Sequence, residues 1–357
     1  EQAGQERRVR PVGRDAKAVE GAVDAVGGVQ VNTERDGLAV NRLHEPGPVR
    51  DVDEIDRVVT TGPSWAYLRI AEGCNNFCAF CAIPYIRGRY RSREMDNIIE
   101  EARDLAAHGI KELIVIAQDI TRYGTDLYGK RSLAELCRRL KEIDGIQWIR
   151  LHYLYPDQFD DELIDEIASN EKIVKYLDIP IQHINNKILK SMNRRGDGDE
   201  IRALFKKLRE KIPGLVLRTS LIAGLPGEGE AEFEELCEFL KEARIERAGV
   251  FPFSPEEGTP AAKMEYPDAE IAQKRAELIN ELQAQIMDDF CNAQIGKTLE
   301  VLCEDFDEDY QMYVGRSYAD SPDIDGLVYF DGEGHEGDIV NVLITEVHEG
   351  YLFGEQC

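Results

Sequence analysis

From residue 65 onward, short apolar runs alternate with longer stretches in which apolar residues recur at helical spacing. The runs at 65–70, 112–117, 147–152, 176–180, 215–222 and 247–253 predict six strands. Between them, sets such as Leu133, Leu136 and Leu140, or Ile201, Leu204 and Leu208, predict helices with one buried face. Strand and helix alternating in this way predict an α/β fold: a parallel sheet with right-handed crossover helices, doubly wound or closed into a partial (βα)6 TIM-like barrel. In either case ligands gather at the C-terminal ends of the strands. A helical stretch over 269–295, ended by Gly296, predicts a connector. Beyond it, runs at 298–303, 312–315, 326–330, 338–347 and 351–354 predict a small five-stranded β-barrel of the oligonucleotide-binding type. The expected divisions are an α/β domain over 65–267, a connecting helix over 268–295 and a β-barrel over 296–357. Residues 1–64 hold no Phe, Tyr, Trp or Cys, can bury little large apolar surface, and read as a poorly structured leader or a domain remnant.

Charge narrows the partners. The 357 residues carry 69 acids against 43 bases, a formal −26, so the chain as a whole repels nucleic acid and anionic membrane surfaces and suits a basic partner. The imbalance is sharpest over 296–357, where Lys297 and Arg316 face sixteen acids, a formal −14. Such a barrel is expected to dock a lysine- and arginine-rich protein, the alternative being a surface that only promotes solubility. No apolar run reaches the ~18 residues that a membrane helix needs, and residues 1–10 lack a secretion pattern, so the expected location is cytoplasmic. In that reducing compartment eight cysteines point to metal or catalytic roles rather than disulfides.

The most informative residues directly follow the first strand, in Gly73-Cys74-Asn75-Asn76-Phe77-Cys78-Ala79-Phe80-Cys81. Three thiolates at this spacing can hold three irons of a 4Fe-4S cubane and leave the fourth open. A structural zinc site would need a fourth nearby ligand, and the nearest histidine is His108. A disulfide would leave one thiol over. Cluster, zinc and unliganded thiols stay open on spacing alone, with the cluster favoured. An open iron can chelate an amine and a carboxylate of one ligand and pass it an electron.

The triplet, its place after the first strand and the six βα units resemble the radical S-adenosylmethionine (SAM) enzymes. That resemblance implies reductive cleavage of SAM to a 5′-deoxyadenosyl radical that takes hydrogen from an unreactive C–H bond, with a low-potential reductant such as flavodoxin. The segment Cys81-Ala-Ile-Pro84-Tyr-Ile-Arg87-Gly88-Arg89-Tyr90-Arg91-Ser92-Arg93 is similar to the methylthiotransferase signature. Gln118-Asp119-Ile-Thr-Arg122-Tyr123-Gly124, Tyr153-Leu154-Tyr155-Pro156, Arg218-Thr219-Ser220 and Asp320-Ser-Pro322-Asp-Ile-Asp325-Gly326 resemble the branch acting on a ribosomal protein rather than the tRNA (MiaB-like) branch. The resemblance runs from about residue 65 to the end and implies methylthiolation of an aspartate β-carbon in ribosomal small-subunit protein twelve. It marks the terminal domain as a TRAM domain. Its alternatives are tRNA adenosine methylthiolation and a non-catalytic metal-binding module that docks on ribosomal protein.

It also implies site residues. Phe80 is expected beside the adenine of SAM, and Gly224, opening Gly224-Leu-Pro-Gly227-Glu228, beside the ribose and adenine. Gln118 ends the second strand facing the site. Arg194 and Arg218 are candidates for the SAM carboxylate, because a guanidinium fork matches it bidentately. The Arg87, Arg89, Arg91 and Arg93 run is a candidate for positioning a substrate carboxylate, while His183 suits a hydrogen-bonded barrel histidine better than a ligand contact. Family members carry three further cysteines in an N-terminal domain that hold a second 4Fe-4S cluster. No cysteine precedes Cys74, so the chain reads as truncated, keeping SAM cleavage and substrate docking without complete methylthio transfer.

Overall fold

The computed structural model describes residues 59–357, so the expected leader or remnant over 1–64 lies almost wholly outside the described residues. The α/β part is built on six parallel strands: β1 (Trp65–Arg69), β4 (Glu112–Ile116), β5 (Trp148–Leu151), β6 (Ile173–Asp178), β7 (Val216–Ala223) and β8 (Arg247–Pro252). They pair in strictly sequential order from β1 to β8, every pair parallel. A doubly wound sheet reverses direction midway; sequential order means that each crossover steps the same way, which curls the sheet into a partial (βα)6 barrel.

The strands obey the period of two. In β7, Arg218, Ser220 and Ile222 are half-buried and face the lumen, whereas Leu217, Thr219 and Leu221 are buried against helices. Outside the sheet lie α2 (Met95–Ala107), α3 (Leu133–Lys141), α4 (Asp161–Ser169), α6 (Gly198–Lys211) and α7 (Glu230–Ala243). Their apolar faces join the strands in one core through residues such as Ile98, Leu136, Ile167, Phe205 and Leu240. Shorter pieces, the α1 turn (Ile83–Ile86), the β2 (Ala71–Glu72) and β3 (Arg91–Ser92) hairpin, and α5 (Asn186–Ser191), sit at the strand C-terminal ends. Periodicity could not show them, because each is shorter than one amphipathic repeat.

Helix α8 (Ala269–Asn292) leads to a closed antiparallel and parallel barrel of β9 (Thr298–Asp307), β10 (Met312–Ser317), β11 (Val328–Asp331), β12 (Ile339–His348) and β13 (Tyr351–Gln356). The barrel is packed around Val301, Phe330, Val342 and Ile344 with Cys291 of α8. It meets the α/β part through a buried ion network. Glu112 takes Arg150 Nε at 2.7 Å and Arg316 Nη2 at 2.7 Å, and Arg316 also binds Glu304. Arg247 pairs with Asp320 at 2.7 Å, Tyr176 Oη donates to Asp325 at 2.6 Å, and His152 Nε2 lies 3.2 Å from Ser321 Oγ. The segment Asp320-Ser-Pro322-Asp-Ile-Asp325-Gly326 is therefore the joint between the two parts.

Candidate active site

Strand β1 ends at Arg69 and the chain turns through Gly73 into the cysteine loop. Gly73 has φ +80°, and a Cβ there would run into the carbonyls of Gly88 and Arg89, so only glycine lets the arginine-rich segment close over the loop. The Cys74 N–H donates to Gly88 O at 3.2 Å across that contact. The opposite side of the loop is held by the end of α5: Ala79 N–H reaches Met192 O at 2.9 Å, and Asn193 Nδ2 donates to the Asn76 and Phe77 carbonyls.

All three thiols are free. Burial pushes the Cys74 thiol up to about 11, partly offset by the Asn76 N–H, which lies 3.5 Å from its sulfur. Burial also raises Cys81, against the Ile83 N–H. Arg194 Nη1 lies 3.7 Å from Cys78 Sγ. Thiols so held deprotonate when a soft metal replaces the proton, and the N–H groups and the guanidinium stabilise the resulting sulfur charge. Among the described residues no three His, Cys, Asp or Glu side chains converge on one mononuclear ion. Three soft donors, N–H groups aimed at sulfur and a half-buried loop fit a 4Fe-4S cluster.

A second network steadies the loop from β4. Asp119 is fully buried, accepts from Asn76 Nδ2 at 2.9 Å, from the Thr121 N–H and hydroxyl, and from Arg122 Nε at 3.0 Å. Burial raises its pKa against those hydrogen bonds. Gln118, one residue earlier, is half-buried with its Oε1 enclosed and without a protein partner, an acceptor left over at the strand end. Sequence reasoning missed Asn76 and Asp119. Their only signal was proximity to Cys74 and Gln118, because the contact spans 43 residues.

The structure brings most predicted residues together. Half-buried Phe80 packs with Ile222 and Leu225, which flank Gly224, in a cluster that includes Ala79, Ile188, Met192 and Phe253. The aromatic and the glycine turn thus form one apolar wall beside the cysteines. Gly224 has φ +81°, yet its missing side chain is explained first by packing, because a Cβ there would overlap Ala272 of α8. Arg194 lies across the Tyr155 ring at 4.5 Å and donates to Pro180 O, at the loop. Arg218 does not join this group. Its guanidinium pairs with Asp178 at 2.7 Å and lines a cavity of about 270 Å³ closed by β8, α8 and residues 324–326. Within the arginine run, Arg93 is buried on Glu101 and Arg69 O, Arg87 faces Glu72 at 3.6 Å, and Arg89 lies 4.5 Å over Phe77. His183 is fully buried, with its Nδ1 accepting the Asn185 N–H at 3.0 Å and its Nε2 3.4 Å from Glu228 Oε2.

A sequential partial barrel whose first strand delivers three thiols to the strand C-termini, beside an aromatic and a glycine turn, defines a radical SAM domain. Comparison with known proteins agrees: residues 68–240 match the Radical SAM superfamily and residues 295–356 the TRAM domain. Ribosomal protein uS12 methylthiotransferase RimO of Clostridium botulinum (strain Hall) is 51% identical over 306 residues, 85% of this chain and 68% of that protein. The protein of the same name from Caldanaerobacter subterraneus subsp. tengcongensis is 50% identical over 323 residues, 89% of this chain and 73% of that one. Among solved structures, coproporphyrinogen III oxidase (HemN) from Escherichia coli, a radical SAM enzyme, superimposes with a TM-score of 0.48 at 18% identity, over 63% of this chain and 53% of that one. The chain belongs to the RimO family of radical SAM methylthiotransferases.

Proposed function

We propose that this chain works in the methylthiolation of an aspartate β-carbon of ribosomal protein uS12, small-subunit protein twelve, in the cytoplasm. The observation that carries the reading is the thiol loop seated with Phe80 against the Gly224 turn at the mouth of the barrel, on a chain half-identical to proteins named for that reaction. Cys74, Cys78 and Cys81 would hold the cluster. When bound, cluster and SAM supply one-electron reduction of a sulfonium and a carbon radical able to take hydrogen from an unactivated C–H bond.

The chain's own residues do the rest. Phe80 and Ile222, backed by buried Leu225, offer an apolar wall to the adenine and exclude water from it. Gln118 Oε1 offers an acceptor to the SAM amine. Arg194, rather than Arg218, stands at the thiol loop and balances charge on the Cys78 sulfur. Arg218 is occupied by Asp178 and serves the lumen wall.

The terminal barrel supports a basic protein as substrate. Of its two basic residues Arg316 is buried and paired, and its acids Glu304 and Asp320 are taken up in ion pairs, so the charge left on its surface is still almost wholly acidic. An acidic face attracts a ribosomal protein and disfavours tRNA. A low-potential reductant such as flavodoxin would supply electrons. Of the remaining cysteines, Cys137, Cys237 and Cys291 lie on separate helices, Cys303 lies in β9, and Cys357 is exposed. The test is anaerobic turnover of the reconstituted, reduced chain with SAM and uS12. The reading expects SAM-dependent 5′-deoxyadenosine and a methylthio group on uS12. No 5′-deoxyadenosine from a fully assembled cluster would refute it and favour a metal-binding docking module.

A further inference from the structure

Glu228 follows the glycine turn and is completely buried, an expensive place for a carboxylate unless its oxygens are engaged. Its Oε1 accepts from the Gly224 N–H at 2.9 Å and from Arg275 Nη1 at 2.8 Å, and Arg275 also donates to the Glu228 carbonyl at 3.1 Å. Its Oε2 faces His183 Nε2 at 3.4 Å, and that ring is also fully buried. His183 Nδ1 accepts the Asn185 N–H at 3.0 Å, while its Nε2 and the facing Glu228 Oε2 each lack a hydrogen-bond partner. One carboxylate therefore ties the turn after β7 to the first turns of α8, with the His183 ring beside it.

The arginine is held in its turn. Its guanidinium lies 5.2 Å over the Phe233 ring of α7 and contacts Glu230 at 3.4 Å. One turn earlier on α8, Ala272 fills the space where Gly224 has no side chain. The far end of the same helix contributes Cys291, Met287 and Phe290 to the core of the terminal barrel. At 1.5 Å per residue its 24 residues form a strut of about 36 Å anchored at both ends.

We propose that Arg275 is a positioning residue for SAM. Through Glu228 it locks the Gly224 turn in the shape that the nucleoside meets, and it acts without touching SAM. This rests on the SAM-binding reading above. A turn released from Arg275 samples other shapes, and apparent affinity falls by the fraction of time that the competent shape is lost.

The experiment compares Arg275→Met, Arg275→Lys and, should the methionine variant not fold, Glu228→Gln. Two quantities are read: the Kd for SAM on chains of equal iron content, and hydrogen exchange of the Gly224 amide without cofactor. The expected result is about a tenfold rise in Kd for Arg275→Met or Glu228→Gln, with faster exchange at Gly224 and unchanged iron. Arg275→Lys keeps a charged donor and should recover part of both. Wild-type Kd and wild-type Gly224 protection in the Met and Gln variants would overturn the proposal. If the wild-type chain with a full cluster bound no SAM, the functional reading would fall, while the exchange data would still decide whether Arg275 holds the turn.

Discussion

At the scale of single residues, glycines and buried titratable groups carry the testable content. Gly224→Ala must displace either the turn or α8, since both the positive φ and the Ala272 contact exclude a Cβ. It should lower stability by about 2 kcal/mol in urea unfolding and weaken SAM binding more than Gly258→Ala, whose position has open space. His152 gives a pH signature. Burial lowers its pKa to about 4, with Arg150 and Arg218 acting the same way against Asp178. The unfolded chain, with a histidine near 6.5, then binds more protons between pH 6.5 and 4, so stability is lost as pH falls through that window. Wild type should lose about 2 kcal/mol more than His152→Gln between pH 7 and pH 5, measured by denaturant unfolding. Equal losses would place the acid-sensitive group elsewhere. The cysteines were legible because chemistry fixed their spacing. Asn76, Asp119, Glu228 and Arg275 were not, because each acts through a partner distant in sequence and leaves no local pattern.

At the scale of elements, the six strands and the long helix were readable because each repeats its period several times. Strand β6 begins at Ile173, three residues before the expected run, because Lys175 interrupts the apolar pattern while its ammonium reaches the Ile167, Ala168 and Asn170 carbonyls. Strand β9 runs on to Asp307 through Glu304, Asp305 and Asp307, a charged stretch that hydropathy reads as a turn. The joint between barrel and α/β part is ionic. Burial works against the Glu112 carboxylate, but Arg150 and Arg316 outweigh it and hold its pKa below the ordinary value. Removing one member strands a buried charge, so Arg316→Met should cost about 3 kcal/mol and lower the urea midpoint. A variant with wild-type stability would show the network to be dispensable.

At the scale of the whole molecule, charge and topology divide the work. The α/β part carries the thiols at one end of its lumen, and the acidic barrel grips the other part of the molecule through residues 317–326. Affinity for uS12 should fall steeply as salt rises from about 50 to 200 mM, while tRNA should bind weakly throughout. Tight, salt-sensitive tRNA binding would reverse the choice of substrate. No helix among the described residues is long and apolar enough to cross a membrane. Periodicity left doubly wound sheet and partial barrel open, since strand order is set by which way each crossover turns; the resemblance carried by the cysteine loop implied the partial barrel, and the strand order bears it out.

The most direct measurement is iron and acid-labile sulfide per chain after anaerobic reconstitution, for wild type and Cys78→Ala. About four irons and four sulfides in wild type, lost together in the variant, is the expected result. A single bound zinc, or iron that survives the loss of Cys78, would contradict it.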